Sequence, residues 1–162
     1  KVTVKVFSSL TCPHCATFHL EVFEKLKTDY INKGFVKFEH HAFPLDLAAL
    51  NAEILVRCNS DQNKSFQYLK EIYKLQSKWA VGSDIKKINK AIINIGKKIN
   101  LDKKSLDKCL INDDAQEKVL NERILAQKNY NITSTPTIYL NEKKYNGDFK
   151  YENFKKEIEK LL

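Results

Sequence analysis

Lys1-Val2-Thr3-Val4-Lys5-Val6-Phe7-Ser8-Ser9-Leu10-Thr11-Cys12-Pro13-His14-Cys15 opens the chain with two signals set side by side. Val2, Val4, Val6 and Phe7 make a short β-rich run of strand length. Past Cys12, apolar side chains recur at Cys15, Phe18, Val22 with Phe23, and Leu26, close to the helical period, while Glu21, Glu24, Lys25 and Lys27 fill the opposite side. Pro13 suits a first helical turn, where its missing N–H costs nothing. Phe35-Val36-Lys37-Phe38 reads as a second strand. The opening is therefore strand, helix, strand, a right-handed crossover unit that builds a partly parallel sheet.

Further along, residues 45–128 carry only helical patterns. Leu47, Leu50, Ile54 and Cys58 form one stripe; Phe66, Leu69, Ile72 with Tyr73, Gln76 and Trp79 form another. Ile85, Ile88, Ile92, Ile95 and Ile99 recur in a segment opened by Ser83-Asp84, both good capping residues. Leu106, Cys109 and Leu110 mark a short helix, and Ala115 to Lys128 a further one. Strand signals return at Thr137-Ile138-Tyr139-Leu140; Asn141-Glu142-Lys143-Lys144 reads as a turn and Tyr145-Asn146-Gly147 as the close of a hairpin. Phe154, Ile158 and Leu161 recur in a final amphipathic helix. The expected architecture is α/β (α+β): a sheet domain of residues 1–44 and 129–162, interrupted by an inserted all-helical domain over residues 45–128.

Length and composition agree. The 162 residues suit one core with a modest insertion, and 43% apolar with 30% charged residues excludes disordered and low-complexity classes. No stretch approaches the ~18 consecutive apolar residues of a membrane span. The chain starts at Lys1 and has no methionine, so a processed or trimmed chain, once preceded by an export signal, is expected. The net charge of +8 raises nucleic acid or an acidic membrane surface as partners. Against nucleic acid, only Arg57 and Arg123 are arginines, the residue favoured for base and bidentate phosphate contacts, and the lysines are spread over nearly every segment.

The chemistry concentrates in Cys12-Pro13-His14-Cys15. Two cysteines three apart at a helix N-terminus can close a small disulfide, and the first sits where free backbone N–H groups and the helix dipole favour negative charge. Cys12 is thus the expected thiolate, His14 a second source of stabilisation, and Cys15, on the apolar face one turn in, the resolving thiol. Stabilising the reduced form makes the disulfide easier to reduce and a better oxidant. A zinc site would want two more ligands, for which only His19 and the His40-His41 pair offer themselves. Haem attachment would want histidine where Ala16 stands. No metal is expected, and no nucleotide or flavin fingerprint is present.

The tetrad Cys12-Pro13-His14-Cys15, and Ser134-Thr135-Pro136-Thr137 ahead of a hairpin and a final helix, resemble the two marks of the DsbA-like thiol:disulfide oxidoreductases, exported proteins with a thioredoxin fold carrying a helical insertion. The order of elements agrees along the whole chain. The resemblance implies a cis Thr135–Pro136 bond that offers the Thr135 backbone to an extended substrate peptide. It implies catalysis by Cys12, Pro13, His14 and Cys15, with no cofactor beyond the redox-active Cys12–Cys15 disulfide. It also implies a monomeric periplasmic enzyme acting on cysteine-containing exported proteins, not on nucleic acid, and reoxidised by a membrane quinone-linked partner of the DsbB type. Two positions depart from the family. Its buried acid–base pair falls on Val6 and His40, so proton handling for Cys15 passes to His40, Glu39 or water. Thr135 is a residue seen before the proline more often in isomerases and reductases, which keeps those activities as the alternative; a non-catalytic zinc-binding module is a more distant one.

Cys58 and Cys109 fall on apolar stripes of the insertion, compatible with two buried thiols or one bridge. An exported chain with one catalytic pair leaves one structural pair, and the resemblance likewise implies a Cys58–Cys109 bridge.

Overall fold

The computed structural model describes all 162 residues. Four strands form one sheet in the order β2-β1-β3-β4, with β1 at Val2–Ser8, β2 at Val36–Ala42, β3 at Thr137–Leu140 and β4 at Lys143–Lys144. β1 runs parallel to β2 and antiparallel to β3. The fold is thus the mixed one read from the sequence, with two boundaries displaced. β2 starts at Val36 and runs on through Glu39, His40 and His41, leaving Phe35 exposed outside it. The hairpin is also tighter than expected: Leu140 pairs with Lys143, so Asn141 and Glu142 alone make the turn and Lys143-Lys144 belongs to β4. Asn141 takes a φ of 55°, a region asparagine tolerates better than most residues, and its side chain accepts a bond from the Thr3 N–H at 3.0 Å.

A single helical segment, α1, spans residues 13–31, but it is not uniformly α. Ordinary turns at Pro13–Thr17 and Glu24–Leu26 alternate with wider ones at Phe18–Phe23 and Lys27–Ile31, in which, for example, the Glu24 N–H bonds to the His19 carbonyl five residues back. Wider turns of this kind recur at functional sites. Cys15, Phe18, Val22, Phe23 and Leu26 are buried as the spacing predicts, and His19 joins them.

Between β2 and β3 come only helices: α2 Leu47–Val56, α3 Gln62–Lys74, α4 Gln76–Trp79, α5 Ile85–Lys98, α6 Lys103–Leu110 and α7 Asp113–Tyr130; α8, Tyr151–Leu161, closes the chain. Asp46, Asp61, Asp84, Asp102 and Asn112 each accept a backbone N–H from the first turn of the helix they precede, which is why the helices begin where they do. α5 keeps its expected stripe, with Ile88, Ile92, Ile95 and Ile99 buried. α2 does not: Leu47 is exposed, Cys58 lies beyond the helix end, and Ala49 through Val56 are buried on every side except Asn51. The reason is position. α2 is packed against α3, α5, α6 and α7 at once, and a helix so enclosed is apolar all round rather than along one stripe. In α8, Phe154 and Ile158 are buried but Leu161 is not.

α7 extends past the expected domain boundary at residue 128. Its last turn reaches the sheet, where the Tyr130 hydroxyl accepts from Lys5 Nζ at 3.0 Å and the Tyr130 ring lies 4.9 Å from Phe7. Two cores result. Val2, Val4, Val6, Phe18, Phe23, Ile138 and Phe154 fill the space between sheet, α1 and α8. Leu10 and Cys15 instead join Leu55, Tyr68, Leu69, Ile92 and Leu106 in the core of the helical layer, against which Cys12 also packs. α5 can approach α3 closely because of Gly96, where a methyl group would come within 2.8 Å of the Tyr68 hydroxyl and of Leu106 Cδ1. That hydroxyl donates to the Ile92 carbonyl at 2.7 Å. No helix is long and apolar enough to cross a membrane.

Cys58 and Cys109 are bonded to each other across a separation of 51 residues, tying the end of α2 to α6. Closing a loop of that length restricts the unfolded chain by roughly 4 kcal/mol in the chain-entropy picture. Replacing both with alanine, with the Cys12–Cys15 pair left intact, is expected to lower the free energy of unfolding by about 2–4 kcal/mol. Chemical denaturation monitored by circular dichroism checks this, and an unchanged midpoint would contradict it.

Candidate active site

β1 ends at Ser8, and the four residues that follow are tied down before α1 begins. The Cys12 N–H donates to the Ser9 carbonyl at 3.1 Å, the Leu45 N–H donates to Ser9 Oγ at 3.2 Å, and Thr11 Oγ1 donates to Asp46 Oδ2 at 2.9 Å. The other oxygen of Asp46 caps α2 through the Ala49 N–H. From the helical layer, Gln76 Nε2 donates to the carbonyls of Leu10 at 2.8 Å and Cys12 at 3.0 Å. Gln76 looked in the sequence like one more member of an apolar stripe. The structure makes it the clasp that fixes the loop before the tetrad.

Cys12 precedes the first helical turn in extended backbone, and Pro13 occupies the first helical position. The two cysteines are free thiols, Cys12 half-buried and Cys15 buried. The Cys15 thiol hydrogen-bonded to the Cys12 sulfur holds Cys12 down from its ordinary 9.0 to about 5, with further help from Thr135 and from the amide groups of Cys15 and His14. Partial burial opposes this and is outweighed. Burial pushes the Cys15 thiol far upward, and the neighbouring Cys12 charge adds to it. The pair is therefore split into a thiol that ionises readily, Cys12, and one that retains its proton, Cys15. His14 points into solvent, and what it gives Cys12 is its backbone N–H.

The Thr135–Pro136 peptide bond is cis, and Cys12 Sγ lies 3.6 Å from the Thr135 carbonyl oxygen, to which it donates only when protonated. Thr137 Oγ1 donates to the Ser134 carbonyl at 2.6 Å, bracing the same loop. Tetrad and proline loop, far apart in sequence, thus meet at one surface.

Of the residues expected to handle protons, Glu39 turns away to Lys37 Nζ at 3.1 Å and His41 Nε2 at 2.8 Å. Val6 is an apolar core residue. His40 Nε2 lies 2.8 Å from Oε1 of Glu53, a carboxylate only 1% exposed. Burial would raise Glu53, but His40 and the Arg57 guanidinium, whose Nε donates at 3.0 Å, hold it below the usual range. Arg57 then pairs with Glu122, which also accepts the Ala42 N–H at 2.8 Å. Glu53 escaped sequence reading. The available signal was an acidic residue inside the apolar run Ala52-Glu53-Ile54-Leu55 with an arginine four residues on. His40, Glu53, Arg57 and Glu122 line a groove of about 930 Å³ beside β2, with Phe7, Phe38 and Tyr130 among its apolar walls. No group of three or more His, Cys, Asp and Glu side chains is gathered in a metal-binding arrangement.

The family model described as thioredoxin matches residues 1–160. Disulfide bond formation protein D of Bacillus subtilis (strain 168) is 31% identical over 170 residues, covering 99% of this chain and 72% of that protein. A relative in Rickettsia bellii (strain RML369-C), provisionally named a protein-disulfide oxidoreductase, is 30% identical over 141 residues, covering 87% of this chain and 53% of that protein. The chain spans about half the length of the rickettsial relatives it matches. Among solved structures, alpha-DsbA1 of Wolbachia pipientis superposes with a TM-score of 0.90 at 28% identity, covering 99% of this chain and 85% of that one. Oxidised BdbD from Bacillus subtilis gives a TM-score of 0.85 at 25% identity, covering 98% of this chain and 86% of that one. With the tetrad at a helix start, the proline loop against it and helices inserted between β2 and β3, the chain belongs to the DsbA-like branch of the thioredoxin family.

Proposed function

We propose that the protein is a thiol:disulfide oxidoreductase that introduces disulfide bonds into cysteine-containing exported proteins. One observation carries the reading: a half-buried Cys12 with its pKa lowered to about 5, and so a thiolate at neutral pH, beside a buried Cys15 that keeps its proton. A substrate thiolate attacks Cys12 Sγ of the oxidised pair, the Cys12–Cys15 bond breaks, and its electrons leave on Cys15. The substrate's second thiolate then attacks the mixed disulfide, the substrate departs oxidised, and Cys12 is released as the thiolate its surroundings favour. Each unit by which the Cys12 pKa is lowered favours the reduced enzyme, so the disulfide is a strong oxidant. The pair itself is the only redox group this cycle needs; a membrane quinone-linked partner of the DsbB type would restore the disulfide, with the enzyme working as a monomer in the periplasm. Likeness to proteins named for disulfide-bond formation supports the same reading.

Thr135 against Cys12 favours a second reading, an isomerase or reductase on the same fold. Equilibration of the Cys12–Cys15 pair against glutathione buffers separates the two. A potential well above the thioredoxin end of the scale, about −270 mV, is expected; a value at that end would make the protein a reductase. In assays with a reduced, unfolded substrate protein, Cys12→Ser is expected to abolish oxidation. Cys15→Ser, with Cys12 intact and the substrate supplied in its disulfide-bonded form, is expected to accumulate a mixed disulfide visible by non-reducing electrophoresis, since the Cys12 thiolate opens the substrate bond and no second thiol follows.

The low Cys12 pKa also sets a pH dependence of stability. A thiol lowered from 9.0 to about 5 on folding stabilises the reduced protein fully above pH 9.0, and that contribution is lost as pH falls toward 5. The oxidised protein has no such group. Between pH 5 and 9.0 the melting temperature of the reduced form is expected to rise relative to the oxidised form, and parallel melting curves of the two over this range test it.

A further inference from the structure

Cys15 leaves the disulfide as a thiolate in a core that disfavours the charge, so it must take a proton there. Neither candidate named by the sequence is free to supply it: Glu39 is paired outward, and His40 is paired with Glu53. Two other side chains share the buried surroundings of Cys15. His19 follows Cys15 by four residues, one turn along the same helix, and is buried like it. Tyr73 of α3 packs in the same core cluster as Cys15. The two rings lie 5.0 Å apart, and His19 is held from its other side by Phe23 at 4.4 Å.

Their polar atoms have a property no other buried side chain shares. His19 Nε2 and the Tyr73 hydroxyl are the only buried side-chain nitrogen or oxygen atoms with no partner in good hydrogen-bond geometry, the Ser8 side chain being the polar neighbour of the Tyr73 hydroxyl. Leaving such a group unpaired costs about 1–3 kcal/mol, so two of them together beside a reactive thiol call for a use. We propose that Tyr73 and His19 form the proton-transfer site of Cys15, joining the buried sulfur to the polar chain His40, Glu53, Arg57 and Glu122 and so to the groove beside β2.

The step rests on the exchange reaction proposed above and balances as follows. The substrate S–S bond to Cys12 forms, the Cys12–Cys15 bond breaks with its electron pair going to Cys15, and one proton moves onto Cys15 Sγ. Solvent, which reaches the groove, is the ultimate donor. A phenol hydroxyl and a neutral imidazole each donate and accept, so once side-chain rotation brings their free polar atoms into hydrogen-bond reach a proton can shift along them without a net charge resting in the core. Burial keeps His19 neutral, down at about 3, and raises Tyr73 well above its ordinary value, which suits both to that part. The charged and titratable groups around the pair are Cys12 and Cys15, His40 of β2, Glu53 of α2, Lys70 of α3 and Lys27 of α1. None of them hydrogen-bonds to His19 Nε2 or the Tyr73 hydroxyl.

Tyr73→Phe is the decisive variant, since it removes one oxygen that makes no hydrogen bond and leaves the packing intact. Stopped-flow measurement of mixed-disulfide formation between the oxidised protein and a small thiol, across pH and in light and heavy water, gives the readout. The expected result is a loss of about 10-fold or more in rate, a displaced pH profile and a diminished solvent isotope effect, with the melting temperature no lower than that of the unmodified protein and the Cys12 thiolate titration unchanged. His19→Phe, which retains a ring against Phe23, is expected to give the same loss, and the double variant no more than either alone. A Tyr73→Phe protein with unaltered rate and pH profile would overturn the proposal even if His19→Phe fails to fold. A wild-type protein with no exchange activity would instead overturn the function on which the proposal rests.

Discussion

The Cys15 thiol hydrogen-bonded to the Cys12 sulfur is the contact on which the rest of the molecule is arranged. It asks for opposite surroundings only one helical turn apart: one sulfur at a helix mouth within reach of solvent, the other in a closed core. A helix entering the protein from a strand end meets both demands. β1 delivers the chain to the surface, Pro13 starts the helix there, and the first turn carries Cys15 inward against Leu10 and Tyr73.

Holding that turn in place falls to the helical layer as much as to the sheet. Gln76 binds the Leu10 and Cys12 carbonyls from α4, while Asp46 joins Thr11 to the start of α2. Asp46 thus serves as a helix cap and as an anchor for the active-site loop with the same carboxylate. The insertion is structural support for the chemistry, and its own rigidity, from the Gly96–Tyr68 approach and the Cys58–Cys109 bridge, bears on the geometry of the tetrad.

What the sequence revealed follows from which features are local. Strand alternation in Val2-Thr3-Val4-Lys5-Val6, the isoleucine period of α5 and the tetrad at a helix start are set by neighbours in the chain, and the structure keeps each of them. α2 was misread because its surroundings are four other helices, which no period within ten residues reports. Glu53, Tyr73 and His19 were invisible as a group for the same reason. They lie on three different helical segments, and only packing shows that their polar atoms share one interior. The hairpin was drawn too wide because Lys143-Lys144 looks like turn composition, whereas an edge strand accepts lysine readily.

The depth of Cys15, 1% exposed, has a consequence for anything that reads the molecule from outside. To a bulky thiol reagent the folded, reduced protein is a monothiol, and its second equivalent is counted only after denaturation. The same shielding keeps every encounter with another protein one-sided. In the exchange reaction proposed above a partner would meet a single sulfur, so whichever cysteine pair arrived, the first covalent link would have one regiochemistry.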